Sequence, residues 1–386
     1  MIVSVLAALS ALAITLVAPV PPFDEVCGGV LRSVFGRHYV DGCDYIAFWY
    51  LAEDPSRLLE PGEMRQTRPL FILFGLAGRA FGSLVANLFG LEGETVPTGL
   101  GYTAVNVVLL ASAVWLAGWL LRRLGVSWAI IAAVTAVLVV NNVVKTYVWT
   151  AHTQMFQILA PLILLAATIY LLGPVGRARR LGVAVSLGML VLASGLFLAA
   201  LPIMLAARYL SSRPDRSKLW SDFGLITLVF ALPTLVWMAV ARAAAGSFYV
   251  HEVSVYNQFV WIFNDEPWMD KIRFAIQFGS TFRSVEVWPF VLAGLVAGVF
   301  VLTRSPRSET AKRFYTACLI TLAGLAGLLW LIGLYHVRLT TSLVPVLACF
   351  LAVELERVRG WLLYFGLMLL AGAWVVLHVI QRGPGV

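Results

Sequence analysis

Long apolar runs alternate along this chain with short polar segments rich in arginine. Runs that reach or approach the length needed to cross hydrocarbon as helix occupy residues 2–19, 100–120, 124–143, 153–172, 221–243, 286–303, 314–334, 339–355 and 360–379. Strand-type alternation is weak, which disfavours an outer-membrane barrel. The pattern predicts an all-α, polytopic membrane protein, with 1–386 as a single integral membrane domain. Two stretches depart from it. Segment 69–90 carries Arg79 and several glycines, and segment 181–207 is too long for one short span and contains Gly188, Gly195 and Pro202. The opening run MIVSVLAALSALAITLVAPVPPF lacks a basic leading region and reads as a first anchor rather than a cleaved signal.

The basic segments orient these runs, because cytoplasmic connections carry excess Arg and Lys. They are Arg122/Arg123, Arg177/Arg179/Arg180, Arg208 to Lys218, Arg304 to Arg313 and Arg357/Arg359. If every apolar stretch crossed once from a cytoplasmic N-terminus, Arg122 and Arg123 would fall outside. All five become cytoplasmic if 69–90 stays on the outer side as an interfacial helix and 181–207 enters and returns as a broken pair. Ordinary crossing by both is the competing arrangement, so the expected total is 9–11 transmembrane helices. The preferred arrangement makes 20–99 a large first extracytoplasmic loop with juxtamembrane helices and 248–285 a second. The short connections Lys145–His152 and Tyr335–Arg338 then face the same side.

Composition narrows the classes further. With 60% hydrophobic and 12% charged residues, an ordinary soluble domain and a disordered chain are both excluded. The net charge of +8 is accounted for by the cytoplasmic anchors, so nucleic acid is not an expected partner. Cys318 and Cys349 lie in apolar runs as packing residues. Cys27 and Cys43 share the first outer loop, where an oxidising compartment permits a disulfide that no spacing rule establishes.

Candidate chemistry concentrates in RHYVDGCDYIAFWYLAEDPSRLLEPGEMRQTRPLF, residues 37–71. Asp41, Asp44 and Tyr45 would share neighbouring parts of one helical face. A carboxylate there suits a general base, or a divalent cation together with a second carboxylate. Glu53 and Asp54 read equally well as loop-shaping acids. Arg68 precedes a helix whose first turn suits Pro69. It is fitted either to grip a carboxylate or phosphate with two directed hydrogen bonds or to anchor the helix at the interface. Asn141, Asn142, Lys145, Tyr147 and His152 form a second polar group, in which His152 and Lys145 are substrate-contact candidates. No HExxH pattern supports zinc hydrolysis. The loop bearing His251, Glu252, Asp265, Glu266 and Asp270 mixes acids with aromatics that suit sugar faces and the membrane interface alike. In the late turn, His336 and Arg338 are positioned to meet either a carrier phosphate or lipid headgroups.

On Asp41-x-x-x-Tyr45, TRPLFILFGLAGRAFG, AHTQ and YHVR, the chain resembles the polytopic GT-C glycosyltransferases, which use polyprenyl-phosphate sugar donors. The resemblance covers the architecture of most of the chain; its local motifs are short. It implies a catalytic acid in the first external loop, Asp41 with Asp44 as rival. It also implies lipid-phosphate or substrate contacts at Arg68, Arg338, His152, Lys145, His336 and Tyr45. The expected partners are a polyprenyl-phosphate-linked sugar, membrane lipids and an envelope lipid or glycan acceptor. No cofactor is implied beyond a possible divalent cation. The large soluble C-terminal domain of some oligosaccharyl transferases has no counterpart, which favours transfer of a single sugar. The expected location is a bacterial cytoplasmic membrane, with the site on the extracytoplasmic side. The alternative is a transporter or flippase of a lipid-linked glycan, which segment 181–207 and the outer charges also suit.

Overall fold

The computed structural model describes residues 2–17, 44–93, 96–211, 216–256, 258, 261–263, 267–280, 287–303, 308–333, 339–358 and 361–380. Among them every regular element is helical. The α-helices are α1 (Ile2–Val17), α2 (Asp44–Glu53), α3 (Pro69–Phe89), α4 (Val96–Arg123), α5 (Trp128–Val139), α6 (Asn142–Tyr147), α7 (Phe156–Leu171) and α8 (Arg177–Val191). There follow α9 (Ala200–Ser211), α10 (Arg216–Ala245), α11 (His251–Tyr256), α12 (Trp268–Ser280), α13 (Trp288–Thr303), α14 (Glu309–Ile332), α15 (Val344–Val358) and α16 (Trp361–Ile380). Among the described residues, five helical segments are long and apolar enough to cross a membrane: Pro69–Phe89, Val96–Arg123, Thr153–Leu171, Lys218–Ala245 and Glu309–Ile332. The chain is an all-α, multi-pass integral membrane protein. It packs as two compact units, one formed by Met1–Leu58, Pro69–Leu159 and Leu355–Val386, the other by Leu59–Arg68 and Ala160–Glu354.

In the first unit, α3 begins at Pro69, where a missing N–H costs nothing because first-turn N–H groups have no helical partner. It runs antiparallel along α4 at backbone contact. A Cβ on Gly78 would lie 2.6 Å from the Gly101 carbonyl oxygen, and one on Gly82 would lie 1.9 Å from that of Pro97. Gly75 admits the Tyr102 ring in the same way. Glycine weakens a helix by about 1 kcal/mol relative to alanine; here it allows the close approach by which membrane helices gain packing without a hydrophobic driving force. The sequence expectation left 69–90 either as an interfacial helix or as an ordinary crossing, and α3 has the length and apolarity that a crossing needs. Ser4, Ala8 and Ala11 give α1 a small buried face, and α1 packs against α4. At the far end of α4, Arg123 lies over the Trp119 ring at 4.2 Å and Arg122 over Trp128 at 4.5 Å.

The apolar run 124–143 reads as one span, but its helix stops at Val139 and a new one starts at Asn142. Asn141 explains the break. Its side-chain amide donates to the carbonyls of Val137 and Leu138 at 3.2 and 3.0 Å, and its side-chain oxygen accepts from the Val144 N–H at 3.0 Å. One buried side chain therefore satisfies carbonyls at the end of α5 and an N–H at the start of α6, groups that would otherwise be orphaned.

In the second unit, segment 181–207 is two helices, α8 and α9, joined by a bend and a 3-10 turn, Gly195–Ala199. Its two ends return to one place. Arg177 and Arg180 from the start of α8 and Arg208 from the end of α9 all pair with the carboxylate of Asp222 on α10, at 3.6, 3.5 and 2.6 Å. From there α8 and α10 run parallel. Gly188 approaches Phe230 so closely that a Cβ would lie 2.1 Å from its carbonyl oxygen, and this second contact sits about 12 Å along both helices from the Arg180–Asp222 pair. Gly324 on α14 likewise admits Ile203 of α9. The hydroxyls of Thr168 on α7 and Thr321 on α14 hydrogen-bond at 3.3 Å, both fully buried.

Candidate functional site

In the second unit, Arg68 sits in a largely buried network that joins the segment before α3 to α10 and α11. The Gln66 side-chain amide donates to the Glu60 carbonyl at 2.8 Å, and its side-chain oxygen accepts from the Tyr249 N–H at 2.9 Å. The Gln66 backbone carbonyl accepts from the Trp237 indole at 2.6 Å. These bonds hold the short segment before Pro69 against the end of α10 and the start of the second loop. Arg68 then meets Glu252 in the first turn of α11: its Nη2 donates to Glu252 Oε1 at 3.1 Å, and its Nη1 donates to the Thr67 carbonyl at 3.2 Å. Both side chains are less than one-fifth exposed, at 18% and 17%. Burial draws the Arg68 pKa below its ordinary value, the Glu252 carboxylate opposes that fall, and the nearby Arg65 charge adds to it.

The bend between α8 and α9 completes this arrangement. A Cβ on Gly195 would lie 2.9 Å from Arg68 Nη2, so this position lets the guanidinium lie against backbone. Glu252 Oε2 is buried and has no hydrogen-bond partner among the described residues. His251, also buried, has Nδ1 3.3 Å from the Tyr249 hydroxyl. The Asp222 cluster lies at the other end of the hairpin, since Trp237 stands roughly 22 Å further along α10 than Asp222.

The first unit holds a separate aromatic and polar group. Phe48 of α2 packs edge-on against Phe71 at a centroid separation of 5.0 Å and against His152 at 6.3 Å. His152 also faces Tyr147 at 5.0 Å, and its Nδ1 accepts from the Gln154 N–H at 3.3 Å, capping the 3-10 turn Thr153–Met155. Tyr102 is fully buried and donates its hydroxyl to the Phe48 carbonyl at 3.2 Å. Asn106 donates to the carbonyls of Tyr147, Val148 and Thr150 at 2.8–3.1 Å, fixing the irregular stretch that presents His152. Lys145, on α6, is buried.

The predicted site residues therefore fall into three sets. Asp44 and Tyr45 open α2, one turn before Phe48 or about 6 Å along the axis, and Phe48 is the residue of α2 whose ring meets His152. Arg68 belongs to the other unit with Glu252. Asp41, His336 and Arg338 lie outside the described residues, as do Cys27 and Cys43. Cys318 and Cys349 are buried and free. Among the described residues, no group of three His, Cys, Asp or Glu side chains is placed to hold a metal ion. The sequence reading assigned no role to Glu252, Gln66, Gly195 or Asp222. The available signals were one of four acids amid aromatics in 248–285 and a lone acid just inside a span flanked by arginines. Compared with known proteins, the chain matches no family model, no curated protein and no solved structure.

Proposed function

We propose that this protein is a GT-C-type glycosyltransferase that moves one sugar from a polyprenyl-phosphate donor to an envelope lipid or glycan, on the extracytoplasmic side of a bacterial cytoplasmic membrane. The observation that carries the reading is Arg68, a guanidinium desolvated at the start of a membrane-length helix, beside the second cation Arg65. In the proposed reaction, the acceptor hydroxyl oxygen attacks the anomeric carbon. The bond from that carbon to the phosphate oxygen breaks, and polyprenyl phosphate leaves with the electron pair. Asp41 or Asp44 takes the hydroxyl proton. Charge developing on the leaving phosphate is met by Arg68 and Arg338, a fixed positive environment of the kind that lowers such barriers most where water is scarce. Glu252 holds Arg68 in place. Tyr45, Lys145, His152 and His336 are the further substrate contacts in this scheme. Supplying the purified protein with a labelled polyprenyl-phosphate sugar and an acceptor extract tests it. A labelled product with a new glycosidic bond is expected, and turnover unchanged in both Asp41→Asn and Asp44→Asn would remove the base.

The second reading is a transporter or flippase for a lipid-linked glycan, and the α8–α9 hairpin is what favours it. Helices broken within membrane-length segments are a recurring feature of transport sites. This reading predicts donor movement across the bilayer with no new glycosidic bond.

A further inference from the structure

We propose, on the reading of the donor as a phosphate-linked sugar, that Glu252 binds the sugar: its Oε2 accepts a hydrogen bond from the hydroxyl beside the anomeric carbon. The two oxygens of this carboxylate stand in different surroundings. Oε1 accepts from Arg68 Nη2 at 3.1 Å and from the Thr67 hydroxyl at 3.5 Å. Oε2 is buried and has no hydrogen-bond partner among the described residues. A buried acceptor left without a donor is costly, and more so when it is charged. Donors of the same network are engaged elsewhere. The Trp237 indole donates to the Gln66 carbonyl and the Gln66 amide to the Glu60 carbonyl, while the Tyr249 hydroxyl meets His251 Nδ1. The Glu252 side chain keeps 17% of its surface exposed, so a small turn about its broad terminal torsion opens Oε2 to an incoming group.

Charge decides what can fill this place. A metal ion at Oε2 would be repelled by the guanidinium on the same carboxylate. Among the described residues, no group of three His, Cys, Asp or Glu side chains is placed to hold one. An anion at Oε2 would face the carboxylate itself. A neutral hydroxyl meets neither penalty and supplies the missing donor. Arg68 gives one N–H to Glu252 and one to the Thr67 carbonyl, which leaves further donors of its fork for a phosphate. In a glycosyl phosphate, the carbon next to the anomeric centre carries the hydroxyl closest to the phosphate. With the phosphate on Arg68 and Arg68 on Oε1, that hydroxyl is the one nearest Oε2. The α8–α9 bend backs this arrangement, since a Cβ on Gly195 would lie 2.9 Å from Arg68 Nη2. Hydrogen bonds to this hydroxyl strengthen as positive charge develops on the anomeric carbon during glycosidic cleavage. Glu252 therefore assists departure of the phosphate as well as selecting the sugar.

The test measures binding to the purified full chain in detergent. The probes are farnesyl phosphate, farnesyl-phosphoryl glucose, mannose and arabinofuranose, and the 2-deoxy-2-fluoro form of each sugar, which cannot donate at that position. At least one intact sugar should bind about tenfold more tightly than its fluoro form, the scale of a hydrogen bond to a charged group. In Glu252→Gln the amide oxygen stays with Arg68 and an NH2 group takes the place of Oε2. The variant should bring that ratio to about one while farnesyl phosphate still binds. A residue that only positions Arg68 would weaken both members of each pair alike, and an unchanged ratio in Glu252→Gln overturns the assignment. The ratio is taken within one protein, so the lower stability expected of the variant does not enter it. Equal binding of intact and fluoro forms by the parent chain also overturns the assignment. If farnesyl phosphate then binds in an Arg68-dependent way, the proposed donor stands without this contact. Binding of none of the probes overturns the donor and the contact together.

Discussion

The guanidinium of Arg68 donates to the carboxylate of Glu252 across 3.1 Å, joining residues 184 positions apart in the chain. The pair ties the segment before α3 to the start of the second loop, with little of either side chain in water. Removing one partner should therefore strand the other. Glu252→Gln is expected to lower stability by about 2 kcal/mol, read as a shift in thermal or denaturant unfolding in detergent. Arg68→Gln combined with Glu252→Gln should cost less than the sum of the single changes, as expected for groups in contact. Additive losses would show that the two do not interact.

Gly195 and Gly188 should respond differently to the same added methyl group. At Gly195 the obstacle is the end of the Arg68 side chain, which can move. Gly195→Ala should displace the guanidinium from Glu252, cost no more than the roughly 2 kcal/mol expected when that pair is broken, and reduce turnover at least tenfold. At Gly188 the obstacle is the backbone carbonyl of Phe230. Gly188→Ala should force α8 from α10 and cost about 3 kcal/mol, within the range for overpacking. Unfolding curves and activity measured on both variants separate the two outcomes.

Asn141 serves two helix ends at once. Asn141→Ala removes its bonds to Val137, Leu138 and Val144 and should destabilise the protein by about 2 kcal/mol. Asn141→Asp keeps the oxygen that caps α6 but loses the donors to α5, so it should recover only part of that loss. Equilibrium unfolding of the three proteins checks the order.

The runs that are helical here were largely legible in the chain, because an apolar segment that must satisfy its backbone in lipid has few alternatives to a helix. Pro69 marked the start of α3, and Gly195 falls at the interruption of 181–207, whereas Gly188 lies inside the continuous helix α8. Asn141 and Asn142 stood out as polar at the end of the run 124–143, but the break at Val140 and Asn141 was not legible, since one side chain's two-sided capping depends on three-dimensional geometry. Arg68 was visible by its place before a helix. Glu252 and Asp222 were not, because their partners come from distant segments and a carboxylate carries no local mark of the cation it will meet. Asp44 and Tyr45 could be placed on a helix, whereas the contact of that helix with His152 through Phe48 joins distant segments and carries no local mark.

Hairpin geometry also predicts sidedness. Trp237 lies roughly 22 Å along α10 from Asp222, so the two charged groups of the second unit belong near opposite surfaces. Single cysteines at the exposed positions Arg179 and Met64, in a protein with its native cysteines replaced, should react with a membrane-impermeant maleimide from opposite sides. The cytoplasmic side is expected for position 179 and the outer side for position 64. Labelling of both from one side would remove the assignment.

The central claim is that a sugar leaves a polyprenyl phosphate at this protein. The most direct measurement is the fate of a doubly labelled donor, with one label in the sugar and one in the phosphate, in vesicles containing the purified protein and an acceptor. Transfer predicts that the labels separate: sugar in a new glycosidic product and phosphate on free polyprenyl phosphate, with the rate at least tenfold lower in Arg68→Ala. Labels that cross the bilayer together, or remain together on unchanged donor, would contradict it.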